Sequence, residues 1–352
     1  MSVNQDLLNA AIRHAIHSER FGKGLAKRIV VLLDEADADL TDQLERRLNR
    51  IIDGRDTGPA TTRRLTEILD AIRVLNDEVY RKVAAGLEAE LTDLAAFEIE
   101  NQAQTLSRII PVNVNAVVPS ATLIKTLVTE TPIDGYLLGS WVEAMGANRL
   151  ARIEKALRIG MVEGETVDQL VRRIRGTRAR RYKDGILEIS RRSATTLALT
   201  ANSTIANAAR GEVYRANATI IRKLKWVATL DTRTSPTCQA RDGRIYEIDK
   251  PHPTPPAHPR CRSLLIPITV SFRELGIDRD EVSPRARASM DGQVPGSTTF
   301  GDWLKGQPRE RVEEIMGKER AEMFLSGRIP FSEFFDHDDQ YYNLAELKRR
   351  AG

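Results

Sequence analysis

Apolar residues recur at three- and four-residue steps from Gln5 to about Ile52, through Leu7, Leu8, Ile12, Ile16, Leu25, Ile29, Val30, Leu32 and Leu33. That is the period of one buried helix face, so the stretch reads as helix. Asp53 to Ala60 (D-G-R-D-T-G-P-A) reads as a turn, with Thr61 or Thr62 the expected cap of the next helix. A second helical region then runs from Thr62 to about Ile110. Its apolar positions include Leu65, Ile68, Leu69, Ile72, Leu75, Val79, Val83, Leu87, Leu91, Leu94 and Phe97, close to heptad spacing over much of the length. Two such stripes predict either a long antiparallel, coiled-coil-like pair or two ordinary bundle helices, and the pattern alone does not choose.

Pro111 to Pro132 is less regular and reads as a linker with one short helix. Helical spacing returns from Gly135 to Gly176, interrupted at G-M-V-E-G-E-T-V-D-Q-L-V-R-R-I, where Thr166 should cap a new helix. Ser190 to Ala216 is rich in small residues, among them Ala194, Ala198, Ala201 and Ala208 around Ile205, and suits a central helix packed closely on its neighbours. The period then shortens. Lys223 to Asp231, Arg244 to Ile248 and Ser263 to Val270 read as strands, the second introduced by the turn pair Asp242-Gly243. Ser283 to Ser297 reads as a mobile polar loop, and short helices are expected around Trp303, Val312, Met323 and Phe334. The expected fold class is therefore mainly α with a small β element (α+β). It divides into an elongated helical region over 1–134, a compact helical domain over 135–272 ending in a turn-rich β-hairpin region, and an extension over 273–352 with a loop and short helices.

Composition narrows this reading. The chain has 352 residues, 41% apolar, only 5% aromatic and 29% charged, a mix that suits surface-rich helices. A net charge of +4 gives no whole-molecule field that would imply nucleic acid. No run of eighteen apolar residues exists, so no membrane span or membrane partner is expected. M-S-V-N-Q-D-L-L lacks a basic stretch followed by an apolar one, so a cytoplasmic site of synthesis is expected. Neither G-x-x-x-x-G-K-[ST] nor a strand followed by G-x-G-x-x-G is present.

Trp226 to Pro267 concentrates the candidate chemistry. It holds both cysteines, Cys238 and Cys261, and two of the five histidines, His252 and His258. His258 and Cys261 form an H-x-x-C knuckle, and with Cys238 they offer two thiolates and an imidazole, a donor set for zinc. His252, Asp231 and Asp242 are candidates for a fourth ligand. The alternatives are two small buried cysteines with a hydrogen-bonded histidine, or a disulfide. A Cys-His nucleophile is chemically conceivable, but Ser235-Pro236-Thr237 reads as a turn rather than a helix start, and no oxyanion loop is apparent. A second cluster lies at Arg172 to Arg192, where nine basic residues meet only Asp184 and Glu188. Arg172, Arg173, Arg175, Arg178, Arg180 and Arg181 are its candidates for contact with DNA phosphates or an acidic partner. Tyr182 is its one aromatic, too few for a base-stacking platform. His14 and His17, three apart with Glu19 nearby, read as solvent-facing helix histidines.

The pattern W-x-A-x-x-D-x-R-T-S-x-x-C-x-x-x-D-G-x-x-Y followed by P-P-x-H-P-x-C-R resembles the signature of the phage head morphogenesis domain, the minor head protein family related to protein F of phage Mu. The resemblance is carried by Trp226, Asp231, Arg233, Thr234, Ser235, Cys238, Gly243, Tyr246, Pro255, Pro256, His258, Pro259, Cys261 and Arg262. E-G-E-T-V-D-Q-L-V-R-R-I is similar to the family's domain start and the alanine-rich helix to its central helix. T-F-G-D-W-L-K-G-Q-P and I-M-G-K-E-R-A-E-M-F-L-S-G are similar to the tail of Mu F-like members, so the likeness spans about 145 to 350. One departure is Ser263, where many members read C-R-C, and the missing thiolate counts against a metal. The resemblance implies a non-enzymatic minor capsid protein of a tailed phage or prophage, in the capsid interior or at the portal vertex and in the host cytoplasm during assembly. Its implied partners are the portal protein, capsid or scaffold proteins and packaged DNA, and its implied work is head morphogenesis, DNA packaging or ejection, with no cofactor required. Two other readings stay open: a virion-associated Cys-His or zinc-dependent hydrolase or effector, and a basic DNA-binding module.

Overall fold

The computed structural model describes residues 3–52, 59–110, 116–271, 273–274 and 286–351. Of the expected turn over 53–60, residues 53–58 lie outside them, as do the start of the 111–132 linker and the 283–285 end of the polar loop. The class is the expected one, mainly helical with a small antiparallel β element.

Two long helices open the chain, α1 (Val3–Ile52) and α2 (Pro59–Ile109). Pro59 is the first residue of α2, where its missing N–H costs nothing, so Thr61 and Thr62 lie inside the helix rather than capping it. Next come α3 (Ala121–Glu130), α4 (Leu138–Val162), α5 (Val167–Arg175) and α6 (Ile186–Ala216). Thr166 caps α5 as expected. It accepts from the Gln169 N–H at 3.3 Å, while the Gln169 side chain accepts from the Thr166 N–H at 2.7 Å, a reciprocal box worth about 1 kcal/mol. β1 (Ile221–Val227) lies between β2 (Ile245–Glu247) and β3 (Leu264–Thr269), antiparallel to both. Between β1 and β2 sits the short helix α7 (Pro236–Arg241). The polar 286–297 stretch is not simply loop, for β4 (Arg287–Ser289) and β5 (Gly292–Val294) pair as a hairpin. The tail carries α8 (Phe300–Lys305), α9 (Arg309–Met316), α10 (Lys318–Leu325) and α11 (Leu344–Arg350).

Packing divides the chain into two compact units, neither contiguous in sequence. One comprises Met1–Ser18, Ala95–Ile124 and Ala206–Gly352, the other Glu19–Leu94 and Lys125–Ile205. The division over 1–134, 135–272 and 273–352 follows sequence signals, whereas these units follow packing. In the second unit α1 and α2 run antiparallel: Arg28 pairs with Glu90, while Leu40, Leu44 and Leu48 share a core with Ile68, Leu69 and Ile72. Ile153 and Leu157 of α4, Leu170 and Ile174 of α5 and Leu187 of α6 join that core, so the pair is part of a bundle there. Its buried Asp37 faces Arg149 and Arg191.

In the first unit, Leu8 of α1 packs on Val227, Leu264 and Ile266 of the sheet. Pro267, which has no N–H for a ladder, is tolerated because β3 is an edge strand. A further core joins Leu230, Phe300, Trp303, Leu304, Val312, Met316 and Phe334, binding the tail to the segment after β1. Glu98, 1% exposed, accepts two hydrogen bonds from Arg210 at 2.8 and 3.1 Å and one from His14 at 2.7 Å. His14 is therefore not the solvent-facing side chain expected. Its partner is 84 residues away, beyond any local signal.

Candidate functional site

Cys238 is placed by a helix start. Ser235 caps α7, its hydroxyl accepting from the Cys238 N–H at 3.3 Å, and Pro236 takes the first helical position. The reading of Ser235-Pro236-Thr237 as a turn with no helix behind it is thus corrected. A serine cap followed by proline was the available signal. His258 and Cys261 are placed by a tight knuckle. The Cys261 N–H donates to the His258 carbonyl at 3.1 Å, and Arg260 between them takes the left-handed conformation with φ 59°. The peptide between Pro255 and Pro256 just before it is cis.

The two segments bring three ligand atoms together. The sulfurs of Cys238 and Cys261 lie 3.5 Å apart, and His258 Nε2 is 3.4 Å from the Cys238 sulfur. The other ring nitrogen, Nδ1, lies 2.9 Å from the Pro259 carbonyl. Donation there fixes the tautomer that leaves Nε2 as the ligand atom. Both cysteines are buried and unbridged. Cys261 is held well below the ordinary thiol value, first by hydrogen bonding from Cys238 against the opposing effect of burial, then by His258 and by the N–H groups of Ser263 and Ala257. Cys238 is pushed up, by its hydrogen bond to Cys261 and then by burial. His258 is raised by Cys261, with burial opposing. The cluster therefore brings two sulfurs and an imidazole nitrogen together, a soft donor set for a metal ion of the zinc type.

The candidate fourth ligands are engaged elsewhere. His252 lies 2.7 Å from the Lys250 carbonyl and stacks on Tyr246. Asp231 takes both arms of Arg262, at 2.6 and 2.8 Å, and accepts from the Arg233 N–H and the Thr234 hydroxyl at 3.1 Å each. Asp242 is enclosed by Arg287 and by the Ala228 and Phe300 N–H groups, each at 2.7 Å.

These contacts give the remaining signature residues structural work. Trp226 is fully buried, with the Arg241 guanidinium 5.2 Å from its ring centre. Thr234 donates to the Thr229 carbonyl at 2.5 Å, and Gly243 supplies φ 85°, which a side chain would oppose. The tail braces the same element: Asp339 pairs with Arg241 and Arg244, both at 2.7 Å, and Tyr341 bonds Gln239. Arg287 and Asp339 were not legible as part of this element, because each is defined by a partner distant in sequence.

The basic cluster resolves differently. Arg173 turns back to Glu163 and Glu165, Arg191 to Asp34 and Asp37, and Arg192 to Glu188. Arg175 lies over the Tyr182 ring at 5.7 Å. Arg172, Arg178, Arg180, Arg181 and Lys183 are exposed. The loop that carries most of them is fixed at its base: Thr177 donates its N–H and its hydroxyl to Asp184, both at 2.8 Å. Within it Arg181 and Tyr182 take consecutive left-handed conformations, φ 52° and 60°, unusual for residues with a side chain.

Residues 151–266 match the family described as Phage Mu protein F like protein. The matched stretch takes in α5, the alanine-rich helix and the signature residues from Trp226 to Arg262, and over it the chain is similar to the Mu protein F-like, phage head morphogenesis family. The tail segments that resemble Mu F-like members lie outside it. No curated protein and no solved structure matches the chain.

Proposed function

We propose that this phage head morphogenesis protein is a minor head component of a tailed phage or prophage, seated at the portal vertex and acting in DNA packaging or ejection without catalysing a reaction. The observation that carries the reading is the Mu protein F-like stretch over 151–266, whose signature residues are engaged in holding the element together. Against a Cys-His hydrolase stands burial: Cys238 is 2% and Cys261 4% exposed, their sulfurs turned toward each other. The test is quantitative proteomics of purified particles. The expected result is a few copies per portal ring and co-purification with the portal, with particles lacking the protein packaging or ejecting poorly. Its absence from purified particles would sink the proposal.

A second reading, contact with packaged DNA, is favoured by the exposed cations Arg172, Arg178, Arg180, Arg181 and Lys183. Each phosphate neutralised steepens the dependence of log affinity on log salt by about 0.9. Arg178, Arg180 and Arg181 changed together to Gln should flatten that slope by up to about 2.7. An unchanged slope would exclude the loop as a phosphate contact.

A further inference from the structure

We propose that Cys238, His258 and Cys261 bind one zinc ion that staples α7 to the segment leading into β3. A tetrahedral zinc with Zn–S near 2.3 Å sets two sulfurs roughly 3.8 Å apart, and a sulfur and an imidazole nitrogen roughly 3.6 Å apart. The corresponding distances here are 3.5 and 3.4 Å. Two sides of the ligand triangle are thus close to those zinc sets, and all three ligand atoms lie within 4.8 Å of one another. Two thiolates and a neutral imidazole match zinc's borderline-soft preference, and the set lacks the oxygen donors that magnesium or calcium would need.

The surroundings are those of a metal centre as well. The Pro259 carbonyl orients the imidazole by its far nitrogen. The N–H groups of Ser263 and Ala257 donate to the Cys261 sulfur, and the Ser263 and Ser235 hydroxyls donate to that of Cys238. Backbone and hydroxyl donors aimed at sulfur stabilise thiolate ligands. Three protein ligands leave one tetrahedral corner for water. Ser263 is 2% exposed and bonded to one of the ligand sulfurs, so a thiol at that position would stand beside the ion.

The staple has a physical purpose. β2 has three residues and β3 six, and the chain between them, 248–263, is without helix or strand. So little ladder gives limited stability. An ion joining residues 23 apart in sequence constrains this loop as a crosslink would. The inference is independent of the portal reading, since the full chain would bind zinc whether or not it occurs in particles.

The experiment uses the full chain purified under reducing conditions. Elemental analysis should find about one zinc per chain, and replacement by Co2+ should give tetrahedral d–d bands with a thiolate-to-cobalt charge-transfer band. Cys261→Ser should bring the metal content near zero. Because loss of a ligand can also unfold that variant, Ser263→Ala and Ser263→Cys are measured beside it. Loss of the hydroxyl should weaken zinc about tenfold, and a third thiolate should tighten it. Wild-type protein that carries no zinc or cobalt, or whose cysteines are found joined in a disulfide, would overturn the proposal.

Discussion

Asp242 with Arg287 on one side, and Arg178, Arg180 and Arg181 on the other, mark the contrast between the Trp226–Pro267 element and the arginine loop over 176–185. Both regions are dense in residues that often perform chemistry. In the first, the carboxylates Asp231 and Asp242 are turned inward and matched: Asp242 receives Arg287 at 3.0 and 3.2 Å and two backbone N–H groups, and Asp231 receives Arg262. In the second, the cations reach solvent while only the loop's base is tied, by Thr177 and Asp184. A charge satisfied inside the fold is evidence about stability, and a charge held outside it is evidence about a partner.

The sharpest way to break this contrast is to remove one buried charge. Asp242→Ala leaves Arg287, 3% exposed, without its carboxylate. The expected loss is about 3–5 kcal/mol, because an uncompensated buried charge costs more than the pair contributes. The triple Gln variant of Arg178, Arg180 and Arg181 should stay within about 0.5 kcal/mol of wild type. Chemical denaturation of both measures the difference. Losses of similar size would mean that the loop is as much a part of the fold as the signature element.

The same contrast explains what was legible in the sequence. The helices were, because Leu25, Ile29 and Leu33, and then Ile68 and Ile72, recur at the spacing that buries one face. So was the three-stranded core, because Leu224 and Trp226 alternate with the charged Lys223 and Lys225 and Gly243 marks its turn. The Cys238, His258 and Cys261 grouping was legible as a donor set. What was not legible depends on partners far along the chain. Arg287 lies 45 residues from Asp242, and it stands in a three-residue strand too short to show alternation. The arginine cluster looked uniform because sequence cannot distinguish Arg173, paired with Glu163 and Glu165, from Arg178, which is exposed.

A smaller effect is expected at Arg262. Burial works to raise the Asp231 carboxyl, but the bond from Arg262, with help from the Arg233 N–H and the Thr234 hydroxyl, holds it below the ordinary value. A carboxyl lowered on folding contributes stability above its unfolded pKa, and that contribution is lost as pH falls through the folded value. Arg262→Gln should cost about 1.5–3 kcal/mol at neutral pH, the worth of a charge-assisted pair. The variant should also lose less stability than wild type between about pH 5 and the acid limit. Parallel acid unfolding curves for the two proteins would show that the pair does not set the acid sensitivity of the element.

The smallest effect concerns backbone shape, which the two regions share. Arg260 in the knuckle and Arg181 in the loop both sit at positive φ, 59° and 52°. A left-handed residue with a side chain costs about 1–2 kcal/mol, and glycine returns this less about 0.5–1 kcal/mol of its own entropy. Arg181→Gly should therefore stabilise the protein by about 0.5–1 kcal/mol. If Arg181→Gly gains stability and also flattens the salt dependence of DNA binding by about 0.9, the loop holds an arginine in an unfavourable conformation for the sake of its charge. If thermal or denaturant unfolding shows no gain, Thr177 and Asp184 already fix the loop's shape. The exposed arginine would then be only the residue that happens to occupy a turn.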